Sequence, residues 1–194
     1  MKTVGSPADS VPGPAEHADQ VIAATRKWLE RAVIGLQLCP FAAAPHLNDR
    51  VRYFVSAQRS GLGLLEDLVD ELHALQDADP LKCETTLLIH PHVLTDFREY
   101  NDFLAACDAT VAEQGFEGEL QVASFHPHYQ FAGSGVQDIE NYTSRSPYPM
   151  LHLLREASVA RAVANFPHIE RIGETNKETL RRLGHEGWRQ LWIT

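Results

Sequence analysis

The order of apolar segments predicts one α/β domain, a parallel sheet of at least three strands with helices packed around it. Three observations carry this expectation. Short β-branched runs alternate with longer stretches of helical periodicity, in the order strand, helix, strand, helix, strand, which calls for βαβ crossovers and strands that run one way. The length of 194 residues suits a single domain at roughly 150 residues per domain and suffices for a core without staples. Apolar residues make up 44% and charged residues 22%, an ordinary globular composition that excludes a disordered chain, a collagen-like fibre and a disulfide scaffold.

The elements follow in order. Residues 1–17 are expected as a flexible tail: Met1 to Ala15 is rich in Pro, Ser, Gly and Ala, and no apolar run follows Lys2, so it does not read as a signal peptide. The single domain is then 18–194. Val21, Thr25, Trp28, Leu29, Ala32, Val33 and Leu36 recur at helical spacing, which predicts a helix from about Ala18 to Gln37. Pro40 ends it and leaves Cys39 in a turn. Val51 to Ser56 reads as a strand, Ser60-Gly-Leu-Gly as a turn with a cap, and Leu64, Leu65, Leu68, Val69, Leu72 and Leu75 as a helical stripe. Thr85 to Ile89 is continuously apolar, as a buried parallel strand would be. Thr95 is placed to cap a helix bearing Phe97, Tyr100, Leu104, Cys107 and Val111, with Gly115 at its end. Leu120 to Phe125 is the third strand. A polar and aromatic loop runs from Tyr129 to Pro149, and loops of that length in compact domains are usually functional. Pro149 suits the first turn of a helix reaching about Val163, and the T-x-x-E pattern from Thr175 to Glu178 opens a last helix that Gly184 stops.

The charge balance, 17 Lys and Arg against 26 Asp and Glu for a net of −9, argues against a nucleic-acid or anionic-membrane surface, either of which needs a basic face. No apolar run approaches the roughly 18 residues of a membrane span. Three cysteines, with no CxxC and no export signal, suggest reduced thiols in a cytoplasmic protein. No G-x-G-x-x-G or Walker loop is present, which disfavours a nucleotide cofactor.

Ten histidines locate a candidate site. His90-Pro-His92 and His126-Pro-His128 each end an expected strand, so both tripeptides fall at the carboxyl edge of the sheet, where open α/β sheets bind ligands. The long loop adds Tyr129, Asp138, Glu140, Asn141 and Arg145, and the segment after it adds His152 and Arg155. Imidazole with carboxylate suits a divalent transition metal. His126, His152 and Glu140 or Asp138 form a candidate ligand set, with His128 or His90 able to replace a member. Read as helical neighbours, His152 and Arg155 share a face. Arg145, Arg155 and Tyr129 are the candidate contacts for a small anionic substrate, because a guanidinium binds carboxylate or phosphate with two donors. A second possibility is thiol chemistry: Cys39 as nucleophile, His126 as base and Asn141 as orienter. Cys83 and Cys107 read as structural.

Leu38-Cys-Pro-Phe-Ala42, Phe125-His-Pro with Tyr129-Gln-Phe131, Glu140-Asn-Tyr, Arg145-Ser-Pro-Tyr-Pro and His152-Leu-Leu-Arg-Glu156 together resemble a bacterial family known only as domain of unknown function 1415, over about Trp28 to Gly184. The resemblance implies a small soluble bacterial protein and carries no established activity. In that family's pattern an acidic residue can replace His128 and Asn can replace Ser144, which leaves His126, Arg145 and His152 as the sharper candidates. The expectation is therefore a metal-assisted small-molecule enzyme acting on an anionic substrate. The alternatives are a Cys39–His126 thiol enzyme and a non-catalytic metal- or anion-binding protein.

Overall fold

A computed structural model describes residues 14–166 and 169–193. Strands β1 (Val51–Val55), β2 (Thr85–Ile89), β3 (Leu120–Phe125) and β4 (Met150–Arg155) form one sheet in the order β1-β2-β4-β3. β1 pairs parallel with β2, and β4 pairs antiparallel with both β2 and β3. The α/β class and the surrounding helices are as expected from the sequence. The three strands read there also point one way, because β4 runs against both of its neighbours. The sheet itself is mixed, with β4 inserted between β2 and β3.

Among the described residues six α-helices surround the sheet: α1 (Pro14–Trp28), α2 (Ala43–Leu47), α3 (Gly61–Asp77), α4 (Phe97–Glu113), α5 (Glu156–Ala164) and α6 (Ile172–Gln190). Strand alternation divides the core into two faces. On one face Leu88, Leu151, Leu153 and Leu120 pack against Leu64, Leu68, Leu72 and Leu75 of α3 and Tyr100, Cys107 and Val111 of α4. On the other, Leu87, Ile89 and Met150 pack against Val21 and Trp28 of α1 and against Leu29, Ala32 and Val33 just beyond it. Each fully buried leucine of the α3 stripe contributes about 1.5–3 kcal/mol.

Local chemistry sets the boundaries. Ser60 caps α3 by accepting from the Gly63 amide. The cap of α4 is Asp96, one residue beyond the expected Thr95, and its carboxylate accepts from the Arg98 and Glu99 amides. The first helix passes through a π-helical segment, Leu29–Ile34, and Gln37 has φ 56 in the turn that follows. Of the tail expected over 1–17, residues 1–13 lie outside the described residues, and Pro14 to His17 belong to α1.

Two expectations are corrected. The helix expected from Pro149 to about Val163 is a strand as far as Arg155 and a helix only from Glu156. Met150-Leu-His-Leu-Leu-Arg is the central strand of a sheet covered on both faces, so both faces are apolar and no alternation marks it. The last helix opens at Ile172 from a 3-10 turn at Ile169–Arg171, ahead of Thr175. Gly184, at φ 64, breaks the helix there, and helical structure resumes to Gln190.

Candidate functional site

The strand β4 separates the residues grouped by the sequence. In a strand, residues three apart point to opposite faces. His152 therefore lies on the α1 face, beside Phe125 at a ring distance of 6.0 Å. Arg155 lies on the other face, where its Nη2 donates to the carbonyls of Leu75, Ala78 (2.7 Å) and Cys83 (3.5 Å). Arg155 thus closes the C-terminal end of α3 through Nη2, while its Nε is buried without a partner.

His126 and His90 do end parallel-running strands at one edge, on the α4 face, with Tyr100 between them: ring distances are 5.7 Å to His90 and 5.0 Å to His126. Both are fully buried. The Nδ1 of His126 accepts from the His128 amide at 3.0 Å, so its Nε2 carries the proton and donates to the Leu94 carbonyl at 3.2 Å. His90 donates from Nδ1 to the Val93 carbonyl at 2.9 Å. Together they clamp the turn in which Leu94 takes φ 55, a conformation unfavourable for a branched side chain. Burial holds both imidazoles below their usual value, His90 at about 4. Tyr100 donates to the Met150 carbonyl and accepts from the Phe125 amide, tying β3 to β4.

The long loop is braced from within. Asn141 is fully buried. Its Oδ1 accepts from the Phe131 amide and the Ser134 hydroxyl, and its Nδ2 donates to the Gly135 carbonyl. Arg145 donates to the carbonyls of Tyr129 (3.1 Å) and Val136 (2.7 Å), and its guanidinium lies 4.4 Å from the Tyr142 ring centre. Tyr129 packs on Phe97 and Phe131. Asp138 accepts from the Gly135 amide, and Glu140 pairs with Arg181 of α6.

The expected ligand set of His126, His152, Glu140 and His128 therefore does not converge. His126 and His152 occupy opposite faces, and Glu140 is engaged with α6. Among the described residues no three His, Cys, Asp or Glu side chains are grouped to hold a metal ion. The residues present do not fit the expected divalent metal. The Cys39, His126 and Asn141 set is likewise divided, because Cys39 packs on the α1 face and both nitrogens of His126 are engaged.

What the fold assembles instead is a cavity of about 530 Å³ on the α1 face, roofed by α5 and walled by the sheet, the π-helical segment and the Cys39–Ala42 turn. Trp28, Leu87, Phe125, Leu154 and Val159 give it apolar walls, and Cys39 and His152 open into it. No residue of α5 is fully buried, since its apolar side faces this space. Phe41 and Phe166 meet edge-on at 6.4 Å, and both line the cavity.

The chemistry of His152 is fixed by Thr85. The Thr85 hydroxyl donates to the Leu153 carbonyl at 2.6 Å, so at 2.7 Å it must accept from Nε2–H of His152. The Nδ1 lone pair has no hydrogen-bond partner among the described residues. Burial holds this imidazole at about 4, hence neutral at ordinary pH. Burial also raises the Cys39 thiol, while the amides of Phe41 and Ala42 pull it down by a smaller amount. Sequence reasoning missed Thr85, Phe166 and the roofing role of α5. Cys39 and His152 are the sequence candidates that lie on this face.

The chain belongs to the family described as protein of unknown function DUF1415, whose model matches residues 20–190. No curated protein and no solved structure matches it. No helix among the described residues is long and apolar enough to cross a membrane.

Proposed function

We propose that this member of the family acts on a small, predominantly apolar molecule held in the cavity beneath α5, and that Nδ1 of His152 accepts a hydrogen bond from it. The observation that carries the reading is the tautomer set by Thr85: a neutral imidazole with an open acceptor in an apolar space. A concave, largely apolar cavity with few placed polar groups is the usual form of a small-molecule site. A hydrogen bond from the ligand to this acceptor is worth about 0.5–1.5 kcal/mol, so a ligand that donates to it gains affinity and orientation together.

The test is ligand-induced stabilisation against a panel of small apolar compounds with and without one donor, on the parent protein and His152→Phe. Donor-bearing compounds should raise the melting temperature of the parent, and the variant should lose the preference for them. Equal responses from the two proteins would remove His152 from the site.

A second reading has one specific observation behind it. Cys39 opens into the same cavity, and the Phe41 and Ala42 amides of its turn draw the thiol down against the effect of burial. Once deprotonated, the thiolate would be held by those donors, and the site would support nucleophilic chemistry on the bound molecule. The pH profile of its alkylation rate separates the readings: a plain packing thiol reacts only in strongly alkaline solution.

A further inference from the structure

We infer that the mouth of this cavity reads an anionic head group, so that the ligand is an amphipathic monocarboxylate whose alkyl or aryl body fills the apolar space and carries the donor that Nδ1 of His152 accepts. This rests on the cavity being the ligand site, and deepens that reading by naming the ligand class.

The cavity is lined by only two formally charged side chains among the described residues, Glu84 and Arg161. Glu84 is shared. One carboxylate oxygen lies 3.3 Å from Nη1 of Arg50 and the other 3.2 Å from Nη2 of Arg161. Two guanidiniums thus meet one carboxylate, and the mouth keeps a net positive charge on a protein whose overall charge is −9. Glu84 is mostly buried, at 14% side-chain exposure, with both oxygens engaged, whereas Arg161 is 62% exposed.

The donors of Arg161 are unevenly used. Its hydrogen bonds run through Nη2, to Glu84 and to the Ser158 hydroxyl at 3.0 Å, which leaves Nε and Nη1 each able to donate singly to a second carboxylate. A guanidinium with donors left over at the edge of an apolar chamber is suited to a carboxylate whose carbon chain continues inward. Arg145 and Arg155, the arginines expected to bind an anion from the sequence, are instead directed at backbone carbonyls. Arg161 sits in the last turn of α5, the roof helix, so a head group bound there would also fasten the roof over its ligand.

The experiment compares octanoate, octanol and octylammonium, titrated calorimetrically into the full chain and into Arg161→Met, which keeps an apolar stem against the cavity. Octanoate should bind about tenfold more tightly than octanol, the worth of one charge-assisted hydrogen bond. The substitution should remove that difference while leaving octanol unchanged. Glu84→Gln should strengthen octanoate further, because the competing carboxylate is gone. Equal binding of octanoate and octanol, or a preference for octylammonium, overturns the head-group assignment and leaves the cavity reading standing. Failure of all three compounds to bind the parent protein overturns both.

Discussion

Acid should destabilise this protein through His152, and the size of the effect follows from its surroundings. The folded imidazole titrates at about 4, against an ordinary value of 6.5, because its ring is packed among apolar walls and no carboxylate compensates. Between those two values the unfolded chain binds a proton that the folded chain does not. Stability is therefore complete above about pH 6.5, falls as pH drops through the window, and levels off below about 4. At about 1.36 kcal/mol per pH unit, the loss attributable to this one ring is on the order of 3 kcal/mol.

The clean perturbation is His152→Phe. Thr85 keeps its bond to the Leu153 carbonyl, so no buried donor is orphaned, and the new ring enters apolar surroundings beside Phe125. At neutral pH the two proteins should differ by about 1.5 kcal/mol or less, as volume-conserving core changes do. Urea unfolding measured at intervals down to pH 4 should then show the parent losing stability relative to the variant by roughly 3 kcal/mol. His90, also held at about 4, titrates in both proteins and cancels in the difference. Parallel stability curves, or an NMR titration placing His152 near 6.5, would refute the desolvated, Thr85-fixed imidazole on which the proposed site depends.

Further outcomes separate scaffold from site. Arg155→Met should cost about 1.5–3 kcal/mol, the loss of charge-assisted bonds to the end of α3, with no change in ligand response; a ligand defect without destabilisation would return Arg155 to the site. Asn141→Ala removes three bonds inside the loop, and amide exchange of residues 129–138 should accelerate while the α3 and α4 amides stay protected; unchanged exchange would show that the loop is held by other contacts. Under mild native alkylation Cys107, buried and pushed up to about 12, should label last. A cavity ligand should shield Cys39 and leave Cys83 as it was; equal shielding of both would place the ligand elsewhere.

How far the sequence disclosed this arrangement depends on what each segment packs against. The stripes Leu64-Leu68-Leu72-Leu75 and Tyr100-Cys107-Val111 each face one layer, so their period shows, and both helices lie where that period puts them. The strands 51–55, 85–89 and 120–125 carry β-branched or continuously apolar runs and were equally visible. Met150 to Arg155 was not, because a strand with neighbours on both edges and layers on both faces has no polar side to alternate with. That one assignment moved the chemistry. On a helix, His152 and Arg155 would have formed one binding face; on a strand, the sheet stands between them.

The same logic explains why the densest motifs turned out to be braces. His126, Asn141 and Arg145 attracted notice because they are hydrogen-bonding groups set among prolines and aromatics. A loop that lacks regular secondary structure over most of its length must satisfy its backbone from side chains; Asn141 and Arg145 do so for Phe131, Gly135, Tyr129 and Val136, and His126 does the same for Leu94 in the turn before α4. A ligand site needs polar groups whose capacity is not yet used, and that is a property of contacts, invisible in residue identity. Nδ1 of His152 and the outer donors of Arg161 meet that condition, one inside an apolar cavity and the other at its mouth. The proposed site therefore lies on the α1 face of the sheet, where unused donors and acceptors meet a largely apolar cavity.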